Sequence, residues 1–392
     1  MEMEICKNTT LGIHMKATNK YNQGDVVLLE DPFMIWRIDD VIDPQFEFLE
    51  ETSLAVFTGF IQQLHKNESK IQFLLNNYCF IDYDSHLDLI DCKLQSYVDI
   101  SKQLSPILDT EWKTIFNVLT VPMLNGHNIE DSCGLYNHGS KFTHDCNPNC
   151  AVTSNGNQIK FTAVRDIKKG DILTCSYLSA DELLMPTLLR RYSLLMKKSF
   201  ICNCSRCLNP DKQRSINCEC GGLRCKTSGK ESFLDLEQIV ELYHFEFSKN
   251  SQWICTTCHS ITTDFSDLDL LHKLYLDDLN ESDMILLGEF VESHASGKSW
   301  IRFKYLQIGF EVYMDTQQPD DDQMKEYCEL LLQWLIVAAS PTVLTNLGMG
   351  YAEYLLPLNK ALSKVYIEKC LSLATYMWSN EDEDVQWMKI NQ

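Results

Sequence analysis

The spacing of hydrophobic residues changes several times along the chain and separates strand-like from helix-like regions. Two short apolar runs near the front, Val26–Leu29 and Phe33–Trp36, follow the turn cluster Asn22–Asp25 and Pro32 respectively. Short apolar runs behind turn residues predict strands. Between residues 44 and 120 the apolar side chains recur at near-helical spacing, which predicts helices over that region.

The second half of the pattern predicts a return to strands and then a helical tail. Residues 158–163 and 171–176 flank the turn signal Lys168–Gly170 and predict two strands. Residues 181–198 predict one helix with Asp181 as its N-cap. From Leu268 onward, helical spacing predicts helices over Met284–His294, Ile301–Tyr313, Gln323–Ala339 and Leu358–Met377.

Size and charge limit the classes of function. A chain of 392 residues has room for two to three domains. Its formal net charge of −21 repels phosphate backbones, so we expect no direct nucleic-acid partner, whereas basic protein tails are attracted. The first residues lack the basic and apolar regions of a signal peptide, and no apolar run is long enough to span a bilayer. We therefore expect a cytoplasmic or nuclear protein without membrane contact.

Apart from the singly placed Cys150 and Cys175, nine of the 17 cysteines cluster between positions 146 and 258 at spacings typical of metal sites. Without secretion, reduced thiols are expected. Cys202, Cys204 and Cys207 place three thiols within six positions, which suits one tetrahedral zinc ion and leaves a fourth ligand to come from elsewhere. The remaining clustered cysteines, apart from Cys146, predict a second zinc ion.

The second set offers five thiols for four places. We favour Cys218, Cys220, Cys255 and Cys258, in which Cys255 and Cys258 have knuckle spacing. Gly221 and Gly222 supply the tight turn that follows Cys220. Because Cys218 and Cys220 are separated by one residue instead of two, Cys225 stays open as a substitute for Cys218. The sequence thus predicts about two structural zinc ions.

Segments from across the first two thirds of the chain carry a family resemblance. Residues 134–149, which include Phe142-Thr143-His144-Asp145-Cys146-Asn147-Pro148-Asn149, resemble the core motif of SET domains. Residues 163–177 resemble the strand–turn–strand that ends in the SET tyrosine, and the Cys202–Cys207 cluster resembles the post-SET cysteines. Asn125–Ile129 and the front segments around Gly12, Gly24 and Glu30 are similar to those of SMYD-type proteins. The chain therefore resembles the SMYD-type SET-domain family over roughly residues 8–260.

The resemblance implies an α+β fold with small SET-domain sheets, a helical insert, a zinc-bound post-SET region and an all-helical C-terminal domain. The expected domains are SET-N strands at 1–40, the insert at 41–124, the SET core at 125–200, the post-SET and zinc-ribbon-like region at 201–262, and the helical domain at 263–392. The family's MYND finger would lie within residues 35–110. That stretch holds only Cys79 and Cys92, so no finger can form.

The resemblance also implies an S-adenosylmethionine site and its residues. Tyr177 corresponds to a catalytic tyrosine. The cofactor-binding positions it implies are Gly12, Ile13, His14, Asn125, Thr143, His144 and Phe200. In this family the core-motif cysteine, here Cys146, joins Cys202, Cys204 and Cys207 on one zinc ion. The reaction implied is methyl transfer to a protein lysine, with a basic, lysine-containing tail such as that of a histone as partner.

Three departures from the family pattern predict that methyl transfer is weak or absent. His14 replaces the second glycine of the front motif, and Thr143 replaces the core-motif asparagine. The second family tyrosine is missing, since Lys198 and Ser199 occupy its place. The alternative function is a catalytically degenerate SET module that binds a protein or chromatin partner without turnover. A third alternative, a zinc-ribbon structural protein, would make the SET resemblance accidental.

Overall fold

The computed structural model describes residues 3–8, 12–37, 40, 42–85, 94–129, 131–226, 253–262, 267–314, 321–378 and 380–392. The chain forms two compact units. The first contains Met1–Ser176 and Leu195–Phe200, and the second contains Tyr177–Leu194 and Ile201–Gln392.

Ten short strands form the sheets of the first unit. They are β1 (Met3–Asn8), β2 (Gly12–Ala17), β3 (Val26–Glu30), β4 (Met34–Arg37), β5 (His127–Ile129), β6 (Ser132–Leu135), β7 (Thr143–His144), β8 (Cys150–Asn155), β9 (Gln158–Ala163) and β10 (Thr174–Cys175). Strands β1 and β2 form an antiparallel pair, β3-β9-β8 and β4-β6-β5 are three-stranded antiparallel sheets, and β7 pairs with β10 in parallel.

Alternation of buried and exposed positions explains why these segments are strands. In β9, Ile159 and Phe161 are buried while Lys160 between them is partly exposed, which is the two-residue period of a half-buried strand. The predicted strand at 171–176 forms over Thr174–Cys175 alone. The Asn149 side chain takes backbone hydrogen bonds of this segment: its amide donates to Ile172 O at 2.8 Å, and its Oδ1 accepts from Thr174 N at 2.8 Å.

The described part of the predicted helical insert contains the α-helices α1 (Thr58–Gln62), α2 (Glu68–Asn77), α3 (Gln95–Leu108) and α4 (Trp112–Asn125), with 3-10 turns at Pro44–Leu49, Ala55–Phe57 and Tyr83–Ser85. In α3, the buried residues Tyr97, Ile100, Leu104 and Leu108 recur every three to four positions, so one face packs into the core. The helix ends at Asp109, whose φ of 48° is left-handed. These helices occupy the region where the sequence predicts helices.

The prediction of a single helix over 181–198, capped by Asp181, is wrong. Two helices form instead, α5 (Ala180–Leu184) and α6 (Thr187–Lys198). Pro186 causes the break because a residue that precedes proline avoids the helical region, and Met185 is accordingly extended with ψ 155°. Ser179 is the true N-cap of α5: its hydroxyl accepts from Glu182 N, and the Glu182 carboxylate accepts from Ser179 N.

The second unit carries a small antiparallel sheet and a run of helices. The short helix α7 (Ser205–Leu208) precedes the strands β11 (Ser215–Asn217), β12 (Leu223–Lys226), β13 (Trp253–Cys255) and β14 (Ile261–Thr262), which pair in that order. The helices that follow are α8 (Leu268–Leu276), α9 (Glu281–Ser293), α10 (Trp300–Met314), α11 (Asp321–Ala338), α12 (Pro341–Leu347), α13 (Met349–Leu355), α14 (Lys360–Met377) and α15 (Glu383–Asn391).

Two of the long C-terminal helices, α11 and α14, bury apolar residues in the interior of the second unit. Leu331, Leu335, Ile367 and Ala374 are fully buried, and α11 and α14 carry them. The predicted fold class, α+β with small sheets and a helical C-terminal region, is therefore confirmed. Among the residues described, no helix combines the length and apolar character needed to cross a bilayer.

Candidate functional site

The front motif lies on β2, where its second glycine position is filled by a buried imidazole. Gly12 has a φ of +62°, a conformation that favours glycine. His14 is 1% exposed, and its Nδ1 lies 3.1 Å from Gly12 O. Its Nε2 has no hydrogen-bond partner among the residues described. The departure at position 14 therefore adds a whole side chain to the interior beside Gly12 and Ile13.

The core-motif residues Thr143 and His144 form the two-residue strand β7. Thr143 N donates to Leu173 O at 3.2 Å, and its hydroxyl lies 3.4 Å from the same oxygen. His144 Nε2 lies 3.2 Å from the sulfur of Cys146, which is buried. The motif thus orients His144 and Cys146 toward each other, two residues apart in sequence.

Asn125 ends α4, and its side-chain amide holds a neighbouring segment in place. Its Nδ2 donates to Cys79 O at 2.7 Å and to Val121 O at 2.8 Å, and its Oδ1 accepts from Cys79 N at 3.3 Å. These contacts use the side chain structurally. The part of Asn125 that faces the core motif is its carbonyl, which accepts from Ser140 Oγ at 3.2 Å.

Phe200 follows two residues that replace the second family tyrosine. Its ring centroid lies 6.0 Å from that of His144, so these two predicted cofactor-site residues are neighbours. Ser199 has a φ of 61°, unusual for a residue with a side chain, and its buried Oγ has no hydrogen-bond partner within the described part of the chain. Lys198 Nζ donates to Met123 O at 2.9 Å and to Leu124 O at 3.3 Å.

Three tyrosines in or after the motif segments, Tyr136, Tyr177 and Tyr192, differ in their surroundings. Tyr177, the predicted catalytic residue, follows β10 by two positions and is partly exposed in the second unit. Tyr136 is fully buried, and its hydroxyl donates to Asn157 O at 2.6 Å. Tyr192 packs edge-on against Tyr275 with ring centroids 5.6 Å apart. The Tyr136 hydroxyl thus bonds to the backbone of the turn between β8 and β9.

The second cysteine set forms a compact group within the second unit. The sulfur atoms of Cys218, Cys220, Cys255 and Cys258 all lie within 4.8 Å of one another. Cys218 Sγ is 3.7 Å from Cys258 Sγ, and Cys220 Sγ is 3.5 Å from Cys255 Sγ. Tetrahedral zinc with bonds of about 2.3 Å separates its sulfur ligands by roughly 3.8 Å. These four thiols can therefore bind one zinc ion.

Two turns shape this group, and Cys225 lies outside it. Gly221 has a φ of +79°, and a Cβ on Gly222 would lie 2.6 Å from Thr257 Oγ1, so both glycines are required. Cys225 is buried on β12, between Ser215 and Ile254 in the sheet register, and burial raises the pKa of its thiol to about 11. A hydrogen bond from Ser260 lowers the pKa of Cys258 to about 6. The favoured ligand set is thus the one that the fold assembles.

The post-SET thiols of Cys202, Cys204 and Cys207 also lie within 4.8 Å of one another. The first turn of α7 contributes to this arrangement, since Cys207 N donates to Cys204 O at 3.0 Å. Two buried arginines support the loop. Arg191 Nε donates to Cys202 O at 2.9 Å, and Arg190 Nη2 lies 3.5 Å from Cys207 Sγ. The post-SET thiols can therefore also contribute to a zinc site.

Sequence reasoning missed the supporting role of these arginines and of a buried lysine in the core motif. Lys141 is 5% exposed, and its Nζ lies 4.3 Å from the centre of the Tyr78 ring without a hydrogen-bond acceptor among the residues described. Nearby, Glu30 accepts from the backbone N–H groups of His138 and Gly139. These contacts join residues far apart in sequence, so local spacing carries no signal for them.

Comparison with known proteins finds a SET-domain similarity in the first half of the chain. A family model for the SET domain matches residues 12–178. Human histone-lysine N-methyltransferase SMYD3 is 35% identical over 126 residues, which are 31% of this chain and 28% of that protein. The potential protein lysine methyltransferase SET6 of Saccharomyces cerevisiae is 29% identical over 173 residues, 42% of each chain. A solved SET domain of LSMT bound to lysine and AdoHcy covers this whole chain and 86% of its own, with 11% identity and a TM-score of 0.36.

The SET-domain match includes the motif residues on β2, β7 and the segment that precedes Tyr177. The similarity to SMYD3 agrees with the SMYD-type resemblance of the sequence motifs. The matched segment spans less than a third of the length of SMYD3.

Proposed function

We propose that this chain binds S-adenosylmethionine through its SET domain and transfers the methyl group to a lysine of a protein substrate. The observation that carries the proposal is the SET-domain match over residues 12–178, which contains the core motif and Tyr177. Proteins similar to it are named as histone-lysine or protein lysine methyltransferases. The cofactor would lie against Gly12–His14, Thr143, His144 and Phe200.

The cofactor supplies an electrophilic methyl group on a sulfonium. The protein's contribution is to orient an uncharged amine in line with that methyl and to exclude water. Tyr177 is the proposed hydroxyl at the acceptor channel. His144 and Phe200, whose rings are neighbours, would form one wall of the cofactor pocket.

A second candidate function is partner binding without turnover. The observations that favour it are the buried His14 imidazole beside Gly12 and the replacement of a family tyrosine by Lys198. The first removes space next to the predicted cofactor position, and the second removes a hydroxyl. Both changes lower the expected rate of transfer to external lysines.

We also propose which cysteines bind each of the two zinc ions. Cys146 completes the set of Cys202, Cys204 and Cys207, and Cys218, Cys220, Cys255 and Cys258 hold the second ion. The reduced thiols that these sites require suit a cytoplasmic or nuclear compartment. The net charge of −21 supports a basic protein tail, such as that of a histone, as the substrate.

Calorimetric titration with S-adenosylmethionine, followed by incubation with the labelled cofactor and a panel of basic proteins, tests the proposal. We expect saturable binding and slow labelling that Tyr177→Phe abolishes. Binding without labelling would favour the partner-binding function. No binding at all would reject methyl transfer. A triple variant, His14→Gly with Thr143→Asn and Ser199→Tyr, should bind the cofactor more tightly if these departures weaken the site.

A further inference from the structure

The amine of Lys198 is held at the C-terminal end of α4. The last four carbonyls of a helix have no partner within the helix. Here Pro122 O accepts from Gly126 N at 2.8 Å, and Asn125 O accepts from Ser140 Oγ. The two that remain, Met123 O and Leu124 O, accept from Lys198 Nζ at 2.9 and 3.3 Å. The amine is thus fixed by a pair of main-chain carbonyls at the negative end of the helix dipole.

This position lies among the segments that carry the SET motifs. Leu124 directly precedes Asn125, whose carbonyl bonds to Ser140 of the core motif. Two residues beyond Lys198, the Phe200 ring lies next to that of His144. Every residue in this chain of contacts belongs to the first compact unit. An amine of the chain itself is therefore bonded to the residue before Asn125 and lies two positions before Phe200, and both Asn125 and Phe200 are predicted to bind the methyl donor.

The carbonyls and the helix end favour the charged ammonium of Lys198, whereas burial favours the neutral amine, the form that can act as a nucleophile. Burial lowers the pKa of Lys198 to about 8, an effect that Cys175 partly opposes and Lys197 adds to. Burial, with a smaller contribution from Lys198, also lowers the pKa of His127 to about 3, so that imidazole is uncharged at neutral pH. A substantial fraction of Lys198 is neutral near pH 8, whereas an ordinary lysine is almost fully protonated there.

We propose that Lys198 fills the acceptor-amine position of this SET domain and is itself a methylation site. The inference rests on the proposed function, because S-adenosylmethionine is the methyl donor. The lone pair of the neutral Nζ attacks the sulfonium methyl carbon, a C–N bond forms and the C–S bond breaks. The products are methyl-lysine and S-adenosylhomocysteine, and the proton lost from nitrogen goes to solvent.

Occupation of the acceptor-amine position by Lys198 would affect the methylation of other proteins. A protein lysine must compete with an amine that is tethered in place and therefore present at a high effective concentration. Slow transfer to other proteins then follows from the lysine at position 198 as well as from the missing tyrosine hydroxyl.

The test is incubation of the full chain with isotope-labelled S-adenosylmethionine and peptide mapping by mass spectrometry. We expect methyl label on Lys198 in the wild-type chain and none at that position in Lys198→Arg. Lys197→Arg, which changes the adjacent exposed lysine, should keep the label. Label confined to other lysines, or label on Lys198 that a Tyr177→Phe chain retains in full, would overturn the inference.

A second variant separates this inference from the proposed function. Lys198→Met keeps the apolar stem but removes the amine, and we expect at least a tenfold rise in labelling of basic substrate proteins. If the cofactor binds and substrates are labelled while Lys198 stays unmodified, the inference fails and the proposed function stands. If the cofactor binds and nothing is labelled, the inference fails and partner binding is favoured. If calorimetry detects no cofactor binding, both fail.

Discussion

Lys141 is a charged side chain in an interior that offers it an aromatic face and no hydrogen-bond acceptor among the residues described. Burial lowers the pKa of Lys141 to about 8, although Cys79 and Glu30 act in the opposite direction. Because the folded pKa lies below the unfolded value of about 10.4, charging this group opposes folding. Its destabilising effect is complete below pH 8 and disappears as the pH rises toward about 10.4.

We therefore expect Lys141→Met to be more stable than the wild-type chain at pH 7, by about 1–2 kcal/mol after the lost contact with Tyr78 is subtracted. The difference should shrink between pH 8 and pH 10. Urea unfolding of both chains at several pH values measures it, with exposed Lys7→Met as the control. A stability difference that grows with pH would contradict a destabilising effect of the buried Lys141 charge.

Arg214 and Asp267 form a buried, bidentate ion pair in the second unit, with N–O distances of 2.8 and 2.9 Å. Removing one partner leaves an uncompensated buried charge. We expect Asp267→Leu to lower the free energy of unfolding by about 3–5 kcal/mol. The double variant with Arg214→Leu should recover most of that loss, and equal losses in the single and double variants would contradict the pairing.

At the scale of elements, two residues are candidates for the N-cap of α5, Ser179 and Asp181. Ser179 makes both hydrogen bonds of a capping box with Glu182, whereas Asp181 lies exposed in the first turn. Ser179→Ala should cost about 1 kcal/mol of unfolding free energy. Asp181→Ala should cost clearly less, since it loses only an interaction with the helix dipole. Denaturant titration of the two variants measures these losses. A larger loss for Asp181→Ala than for Ser179→Ala would indicate that Asp181 is the N-cap.

The same region shows what the sequence could and could not predict. The helical character of residues 181–198 is predicted correctly, but Pro186 forces Met185 out of the helical conformation and two helices form instead of one. Spacing predicts the pairing of Cys255 with Cys258 because the two are three positions apart, whereas the approach of Cys218 and Cys220 to them depends on the pairing of β12 with β13. The bond between Lys198 and Met123 joins residues 75 positions apart, and such a contact depends on tertiary packing that spacing does not encode.

For the whole molecule, zinc content is the measurement that tests both thiol clusters together. We expect about two zinc ions per chain after purification without chelator. Cys220→Ser should leave about one and lower the melting temperature, since metal binding in such sites is also folding energy. Cys225→Ala, which changes a buried thiol outside the ligand set, should keep two. Loss of one ion in Cys225→Ala would reassign the second site.

The second cysteine set takes two thiols from before β12, Cys218 and Cys220, and two from the end of β13 and the turn after it, Cys255 and Cys258. Strands β12 and β13 are hydrogen-bonded neighbours. A zinc ion bound by these four thiols would cross-link the two strands in addition to their hydrogen bonds. Removal of the metal by a chelator would then leave this sheet to its backbone pairing alone, and its amide protons should exchange faster with solvent.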